Sequence, residues 1–454
     1  MKKLYKPIVC ILSVCLLLAL AGCGSAPANN SSTTSGSGSP AEASTSGGTE
    51  DTRSARDRVY ELMDQYPLAF NGVPPKQLAD RTGVVKGFPV EQKSDITIGY
   101  VTGSVGSPFF TQMLSYLEQA TQEAGYNFNY QVWDFNNELC VQQLDAYISQ
   151  GVDVILANAD VQYCGPTFKK AAEAGIPVIA TSNQQIASEG NVITDIISSS
   201  YKSGWYVGEY TARQIYKTGD VLKMGAVLIQ LGTGDTEGRG NGFISGFLYG
   251  ARDIDGSPYP TKWDAMLDGY EIWSNFTNSG RYDASDKGLN LVGYGQTPNG
   301  SSDAPGGQAA ANDLVTANQD MDLLYVECDP MWPGVDVVLK QHNLKAGTDV
   351  KIACPADGTK EGMEAIQRGE LIAIGNNSST MNAIGMMTLL RNLFEEGKDL
   401  NNITPNTFTP TVAITAENVD EYYDPAKPLA EGMPYEFQTV DEYNASVSDT
   451  ADPF

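Results

Sequence analysis

His342 is the only histidine among the 454 residues, so any chemistry that needs an imidazole rests on it. One histidine excludes a multi-histidine metal site within the chain and leaves Ser-His-Asp catalysis dependent on a single position. His342 lies in Gln341-His342-Asn343-Leu344, after a predicted helix and on the side away from the strand ends where a ligand crevice would open. That placement reads as a helix-end or solvated histidine. The glycine-rich stretches fail as phosphate cradles. Gly232 to Gly238 has one residue too many for GxGxxG, and Gly295 to Ser301 lacks the lysine of a P-loop. Asp253-Ile254-Asp255-Gly256 starts like a calcium loop but lacks the later ligands. The 55 acidic residues leave carboxylate-pair glycoside hydrolysis arithmetically open, yet no motif singles out a pair. No catalytic residue, metal ligand or cofactor motif is read from the chain.

The charge balance narrows the partners. Lys and Arg number 29 against 55 Asp and Glu, a formal net charge of −26, which gives no electrostatic footprint for nucleic acid. The basic residues are weighted to the start, where Lys2, Lys3 and Lys6 precede an apolar run from Ile8 to Leu20. A charged start, a short apolar run and small residues read as an export signal. Leu20-Ala21-Gly22-Cys23 looks like a bacterial lipobox, which implies cleavage before Cys23 and lipidation of it. Losing residues 1–22 removes three lysines and no acidic residue, so the balance moves from −26 to −29. Residues 23–56, dominated by Ser, Thr, Gly, Ala and Pro, read as a flexible tether. Residues 57–94 read as an accessory segment with a short helix over 56–63. Of seven cysteines, Cys140, Cys164, Cys328 and Cys354 stay in the body. Buried thiols and disulfides both suit them, and Cys328 with Cys354, at the ends of successive predicted strands, is the preferred bridge.

From residue 95 the chain alternates apolar runs with helical periodicity. Strands are predicted at 96–102, 128–133, 153–158, 176–181 and 192–197, then at 224–230, 270–276, 323–327, 350–355 and 371–375. Helices fall at 112–124, 139–149, 166–175, 203–216, 241–250, 308–319, 333–342 and 359–368. Near-continuous Val/Ile/Leu strands alternating with helices mean parallel sheets covered on both faces. Two sets of five strands predict an α/β protein of two doubly wound parallel-sheet lobes. In such sheets the loops after the strand C-termini surround the ligand crevice. Those loops are 103–110, 133–138, 158–165, 182–190, 231–240, 276–307, 328–333, 355–360 and 376–379.

A run of short matches then resembles the type I periplasmic sugar-binding proteins. They include Ile98-Gly99-Tyr100-Val101, Ser107-Pro108-Phe109-Phe110, Gln150-Gly151-Val152-Asp153, Ala174-Gly175-Ile176-Pro177, Arg239-Gly240-Asn241-Gly242-Phe243, Ala356-Asp357-Gly358-Thr359 and Ile414-Thr415-Ala416-Glu417-Asn418-Val419, in order. The resemblance covers about 95–423 and implies a three-strand hinge between the lobes. It makes lobe 1 residues 95–199 plus 377–400, lobe 2 residues 200–376 plus 411–423, and leaves 424–454 as a C-terminal extension. It further implies a lipid-anchored, extracytoplasmic monomer that binds a monosaccharide or polyol and serves an ABC permease and its ATPase. No enzyme activity is implied. A receptor feeding a membrane sensor, or a binder of a non-sugar small molecule, is the alternative. Repressors of the same body carry a DNA-binding head where this chain carries an export signal and tether.

The resemblance also assigns ligand-binding roles. Ser107, Phe109 and Phe110 open the first crevice loop, and the two rings could supply a stacking plane or staple the first helix. Asn158 falls on a ligand-contacting asparagine of ribose-type relatives, Asp357 on their aspartate and Asn377 on a hinge glutamine. Asp357 could instead cap the following helix. Where those relatives carry an Asp-Arg pair after strand four, this chain has Ser182-Asn183; their arginine after strand six falls on Glu237, with Arg239 two positions on. Their asparagine after strand eight falls on Cys328, beside Asp329 and Trp332, and Phe276 ends a predicted strand at the crevice. Trp133 is a weaker stacking candidate. Segment 277–306 is expected to form a pocket wall or lid. Without the bidentate guanidinium partners, ordinary ribose recognition is not expected.

Overall fold

A computed structural model describes residues 52–81, 84–86, 89–182, 191–423, 435, 437–447 and 452–454. The export signal, Cys23, most of the tether, Asn183 and most of 424–454 lie outside the described residues. In chain order the elements are α1 (Ala55–Gln65), β1 (Thr97–Thr102), α2 (Pro108–Ala124), β2 (Asn127–Val132), α3 (Asn137–Gln150), β3 (Val154–Asn158), α4 (Val161–Glu173), β4 (Val178–Thr181) and β5 (Asp195–Ile197). A second run follows: α5 (Ser200–Ile215), β6 (Leu222–Leu228), α6 (Gly234–Ile254), α7 (Lys262–Ser279), β7 (Tyr282–Ala284), β8 (Leu289–Gln296), α8 (Ala304–Ala317), β9 (Leu323–Val326), α9 (Trp332–Gln341), β10 (Lys351–Cys354), α10 (Lys360–Gln367) and β11 (Ala373–Gly375). The chain closes with α11 (Ser379–Phe394), β12 (Asn406–Phe408), β13 (Ala413–Thr415), α12 (Val419–Tyr422) and α13 (Val440–Ser446).

Two sheets result. The first runs β12-β5-β4-β3-β1-β2 and the second β13-β11-β10-β9-β6-β8-β7. All pairs of the first are parallel; the second is parallel apart from its outer strands β13 and β7. β3, β4 and β9 are buried almost along their whole length, as strands sandwiched between helix layers must be. Among the described residues the chain passes between the two sheets three times, at 198–199, 376–378 and 409–412. Neighbouring crossovers are laced together by the amide of Thr409 donating to Ile197 O at 2.8 Å and that of Asn376 donating to Val412 O at 3.1 Å. This is an α/β fold of two doubly wound lobes on a three-strand hinge.

The elements depart from the sequence reading at four places. Residues 270–276 are not a strand but the second half of α7. Tyr270, Ile272, Trp273 and Phe276 suit strands by type, but Ala265, Met266, Gly269, Ile272, Trp273 and Phe276 are buried at helical spacing. A Thr261–Asp264 capping box marks the start of that helix. The missing strand is β8, whose Gly293 and Gly295 dilute its apolar signal, so 277–306 is not a loop: it holds β7, β8 and the start of α8. Helix α11 also went unpredicted, because it is buried on nearly every side and shows no polar stripe. Helix α4 begins five residues ahead of Pro166.

Helices α5 and α6 cross in backbone contact. A Cβ on Gly242 would lie 2.0 Å from Tyr201 O, and one on Gly208 2.1 Å from Phe243 O, so only glycine admits this approach. The crossing matters because the first turns of α6 carry Asp235 and Arg239. The predicted Cys328–Cys354 bridge does not form. The register that sets Ala353 opposite Tyr325 leaves Cys354 two residues short of Cys328, and both are buried free thiols. The thiols in contact are those of Cys140 and Cys164, 3.7 Å apart.

Candidate functional site

Strand ends of both lobes meet at a cavity of about 620 Å³. Lobe 1 contributes Phe109, Phe110, Trp133, Phe135, Asn137, Asn158, Asp160, Thr181, Ser182 and Asn382; lobe 2 contributes Ile229, Gln230, Asp235, Arg239, Gly300, Ser302 and Asp357, with Ser198 and Asn377 from the crossovers. This is the crevice that doubly wound topology places beyond the strand C-termini.

The lobe 1 wall is aromatic. Phe109 packs edge-on against Phe110 with centroids 5.3 Å apart, Phe110 against Phe135 at 5.7 Å, and Phe135 against Trp133 at 5.5 Å. Pro108 opens α2 and Ser107 precedes it, which sets both phenylalanines in the first turn. Asp134 and Phe135 sit at positive φ (47° and 56°), a tight left-handed turn that aims the Phe135 ring outward, where it is 63 % exposed. Trp133 is held by its indole N–H donating to Asn158 O at 2.8 Å. Asn158 is itself a clamp: its Oδ1 accepts from Gly103 N at 3.0 Å and its Nδ2 donates to Thr181 O at 3.1 Å, tying three strand ends together.

The lobe 2 wall is charged. Arg239 is 3 % exposed, with its guanidinium 3.3 Å from Asp235, 3.7 Å from Glu327 and 3.9 Å from Asp357. Burial opposes its charge, but the three carboxylates outweigh that and hold its pKa above the usual arginine value. Burial pushes Glu327 and Asp357 up to about 7, with Arg239 pulling against it. Glu327 accepts from the Ile229 amide at 2.7 Å and the Thr236 hydroxyl at 2.8 Å. Asn377 Nδ2 reaches Asp357 Oδ1 at 3.4 Å across the hinge.

Two buried carboxylates act from behind. Asp329 accepts from the amides of Asp357, Gly358 and Thr359, the last two at 3.0 and 2.8 Å, and from the Thr359 hydroxyl. It therefore shapes the loop that presents Asp357. Asp195 accepts from the Ser182 amide at 2.9 Å and from its hydroxyl, and burial pushes it up to about 7. For a carboxyl raised above its unfolded value, the folded state binds more protons than the unfolded chain between about pH 4 and pH 7. Stability from Asp195, Glu327 and Asp357 is thus complete below that window and lost as pH rises through 7. Melting temperature is expected to fall between pH 5 and pH 8; a flat profile over that range in scanning calorimetry would contradict the burial argument.

Of the residues named from sequence, the structure brings together Phe109, Phe110, Trp133, Asn158, Ser182, Arg239, Asp357 and Asn377. Asn183 lies outside the described residues. Ser107 serves as the N-cap of α2 and does not line the cavity. Glu237 faces α7 instead, accepting from the Trp273 indole at 2.9 Å and the Gly232 amide at 2.8 Å. Phe276 is in the lobe 2 core at the end of α7, against Tyr294. Trp332 is 2 % exposed inside that lobe's other apolar layer, and Asp329 stands behind the wall. Gly300 and Ser302 put part of segment 277–306 on the cavity. Phe135, Asn137, Asp160 and Asp235 were not singled out, although the strand-end rule selects their loops. Gln230 and Asn382 fall outside those loops.

A family profile described as the periplasmic binding protein domain matches residues 98–399. No curated protein sequence matches the chain. Similar solved structures include the periplasmic binding component of the arabinose ABC transporter from Shewanella sp. ANA-3, bound to α- and β-L-arabinofuranose. It is 17 % identical, covers 72 % of this chain and 93 % of its own, and has a TM-score of 0.54. An ABC transporter periplasmic solute-binding protein from Actinobacillus succinogenes 130z with bound D-allose is 16 % identical over 72 % of this chain and 100 % of its own, TM-score 0.55. One from Bacillus halodurans C-125 with bound myo-inositol is 17 % identical over 73 % and 98 %, TM-score 0.54. At these identities the likeness is one of fold. The profile match takes in more than half of the chain and every residue lining the cavity, and the chain belongs to the periplasmic binding protein domain family.

Proposed function

We propose that this protein is an extracytoplasmic solute-binding lipoprotein of an ABC importer, which clamps a sugar or related polyol between its lobes and delivers it to the permease. The observation that carries this reading is the pairing of an aromatic wall on one lobe with hydrogen-bonding side chains on the other. Sugars present apolar C–H faces to rings and hydroxyls to amides, carboxylates and guanidinium groups. Among the described lining residues Arg239 is the one cation, and its charge is already matched by Asp235, Glu327 and Asp357. An anionic ligand would find no spare partner, so a neutral one fits best.

The rest of the chain suits that role. Residues 1–22 serve export, Cys23 carries lipid, and 23–56 tether the body to the membrane surface. No helix among the described residues is long and apolar enough to cross a membrane. Ligand drawn to both walls favours the closed arrangement, because only closure lets both contact it at once. Relatives of similar fold bind arabinofuranose, allose and myo-inositol, which supports a carbohydrate or polyol here.

The test is a thermal-shift screen of sugars and polyols with calorimetric titration of the hits. A true ligand raises the melting temperature in proportion to the logarithm of its excess over Kd. Phe110→Ala and Trp133→Ala are expected to weaken binding by about 10- to 100-fold each, through lost stacking and area. A screen in which no neutral sugar or polyol shifts the melting point at millimolar concentration would overturn the assignment.

A further inference from the structure

We propose that Asn382 is a specificity-determining residue of the cleft, whose side-chain carbonyl accepts a hydroxyl proton from the ligand at the lobe 1 floor. The proposal rests on the solute-binding reading above and sharpens it: the occupant carries a donor hydroxyl at that point, and its deoxy analogue is rejected there.

Asn382 lies in the first turns of α11, lines the cavity and is only 3 % exposed. Its Nδ2 donates to Thr181 Oγ1 at 3.0 Å, which orients the amide. Its Oδ1 is buried and has no hydrogen-bond partner among the described residues. A buried acceptor without a partner bears the full cost of leaving water. That cost persists in a folded protein where a functional partner relieves it.

The surroundings leave the carbonyl no local alternative. The Asn158 Nδ2 donor is spent on Thr181 O. Both donors of Ser182 are committed to Asp195. On the neutral shelf formed by Asn158, Thr181, Ser182 and Asn382, the Asn382 carbonyl is thus a buried, uncharged acceptor that no described residue serves. That chemistry selects a neutral donor, a hydroxyl, over an anion, whose oxygens would meet a carbonyl lone pair head on.

The test titrates L-arabinose, D-allose, D-galactose and myo-inositol into wild-type protein, Asn382→Leu and Asn382→Ser, then repeats with each monodeoxy analogue of the tightest binder. The two variants fill the space differently, so one reports if the other misfolds. Expected is a loss of about tenfold or more for both variants with the parent compound. One monodeoxy analogue loses as much on the wild type but shows no further loss on the variants. Melting of the ligand-free variants should fall only slightly, because the lost bond from Nδ2 to Thr181 Oγ1 is offset by removal of the unpartnered buried carbonyl. Undiminished affinity in the variants overturns the assignment, as does an equal loss for every deoxy analogue accompanied by much lower ligand-free melting. Wild type that binds neither a member of this set nor any neutral sugar or polyol of the screen above overturns the solute-binding reading, and this one with it.

Discussion

Arg239→Met is expected to abolish ligand binding and to lower the melting temperature more at pH 8 than at pH 5. The guanidinium is 3 % exposed and stands within 4 Å of three carboxylates, on Asp235, Glu327 and Asp357. Methionine fills much of the volume but leaves the buried Glu327 and Asp357 with no counter-charge. Breaking a buried pair by removing one partner costs about 3–5 kcal/mol, more than the pair itself contributes, because the abandoned charge stays desolvated. The pH dependence follows from sign. Both carboxyls already sit near 7 with Arg239 restraining them; without it they rise further. Protonation at pH 5 then neutralises them in the folded state and relieves the penalty, whereas pH 8 forces either charge burial or unfolding. Lysine is not an adequate replacement, since a point charge cannot face three carboxylates as a planar fork does. Calorimetry of wild type and variant at both pH values measures the gap. Equal melting at pH 8 would show that the carboxylates have another source of compensation.

That cluster also shows where sequence reading stops. Asp357 and Arg239 were legible because the resemblance to ribose-type relatives singles them out within loops that topology places at the crevice. Their electrostatic partner Glu327 was not, since it closes an ordinary buried strand and nothing in its neighbours marks it. Two sheets were legible from apolar runs alternating with helical stripes, and three crossovers only from the resemblance to sugar-binding proteins. The exceptions have separate causes, the first being that signals built on contrast vanish where burial is uniform. Helix α11 is buried all round and shows no stripe. Helix α7 carries strand-forming aromatics at helical spacing, and residue type outweighed spacing. Misplacing that helix moved Phe276 from the core to the cleft and turned β8 into a supposed loop. Trp332 failed similarly. A residue that opens a helix at a strand end can point along the wall or into the core, and only packing against Val335 and its neighbours decides. Phe135, by contrast, depends on two consecutive left-handed residues, which no composition rule anticipates for Asp-Phe.

The accessory segment before residue 95 had no assignable purpose in sequence, and Arg81→Ala is expected to be among the most destabilising single changes in the chain. The segment is anchored on lobe 2 and the first crossover by Asn241 Nδ2 donating to Ala69 O at 2.7 Å, the Tyr201 amide to Asn71 O at 2.8 Å and the Ser199 hydroxyl to Gly72 O at 2.7 Å. It then passes to lobe 1, where Arg81, 3 % exposed, donates to the carbonyls of Val192, Ile193 and Ile403 at 2.6, 2.8 and 2.9 Å. Burial draws its pKa down only to about 10, so the charge is kept at neutral pH and the three bonds are charge-assisted. The chain's other end makes the same passage. Asn444 exchanges two hydrogen bonds with the backbone of Leu78, both at 2.9 Å, while Phe454 packs on Trp205 with centroids 5.4 Å apart. The accessory segment therefore straps the two lobes together, and Arg81 is the rivet on the lobe 1 side. Alanine leaves three buried carbonyls without the Arg81 donor, a loss of about 3–9 kcal/mol at 1–3 kcal/mol for each abandoned group. Lysine should recover only part of it, since one ammonium on a flexible stem cannot meet three carbonyls in a plane. The freed strap should also become the first site of limited proteolysis, between residues 74 and 86, because its backbone no longer has a buried anchor ahead. Urea melts and a trypsin or proteinase time course measure both effects. A variant as stable and as resistant as the wild type would mean that the segment rests on lobe 1 without holding it.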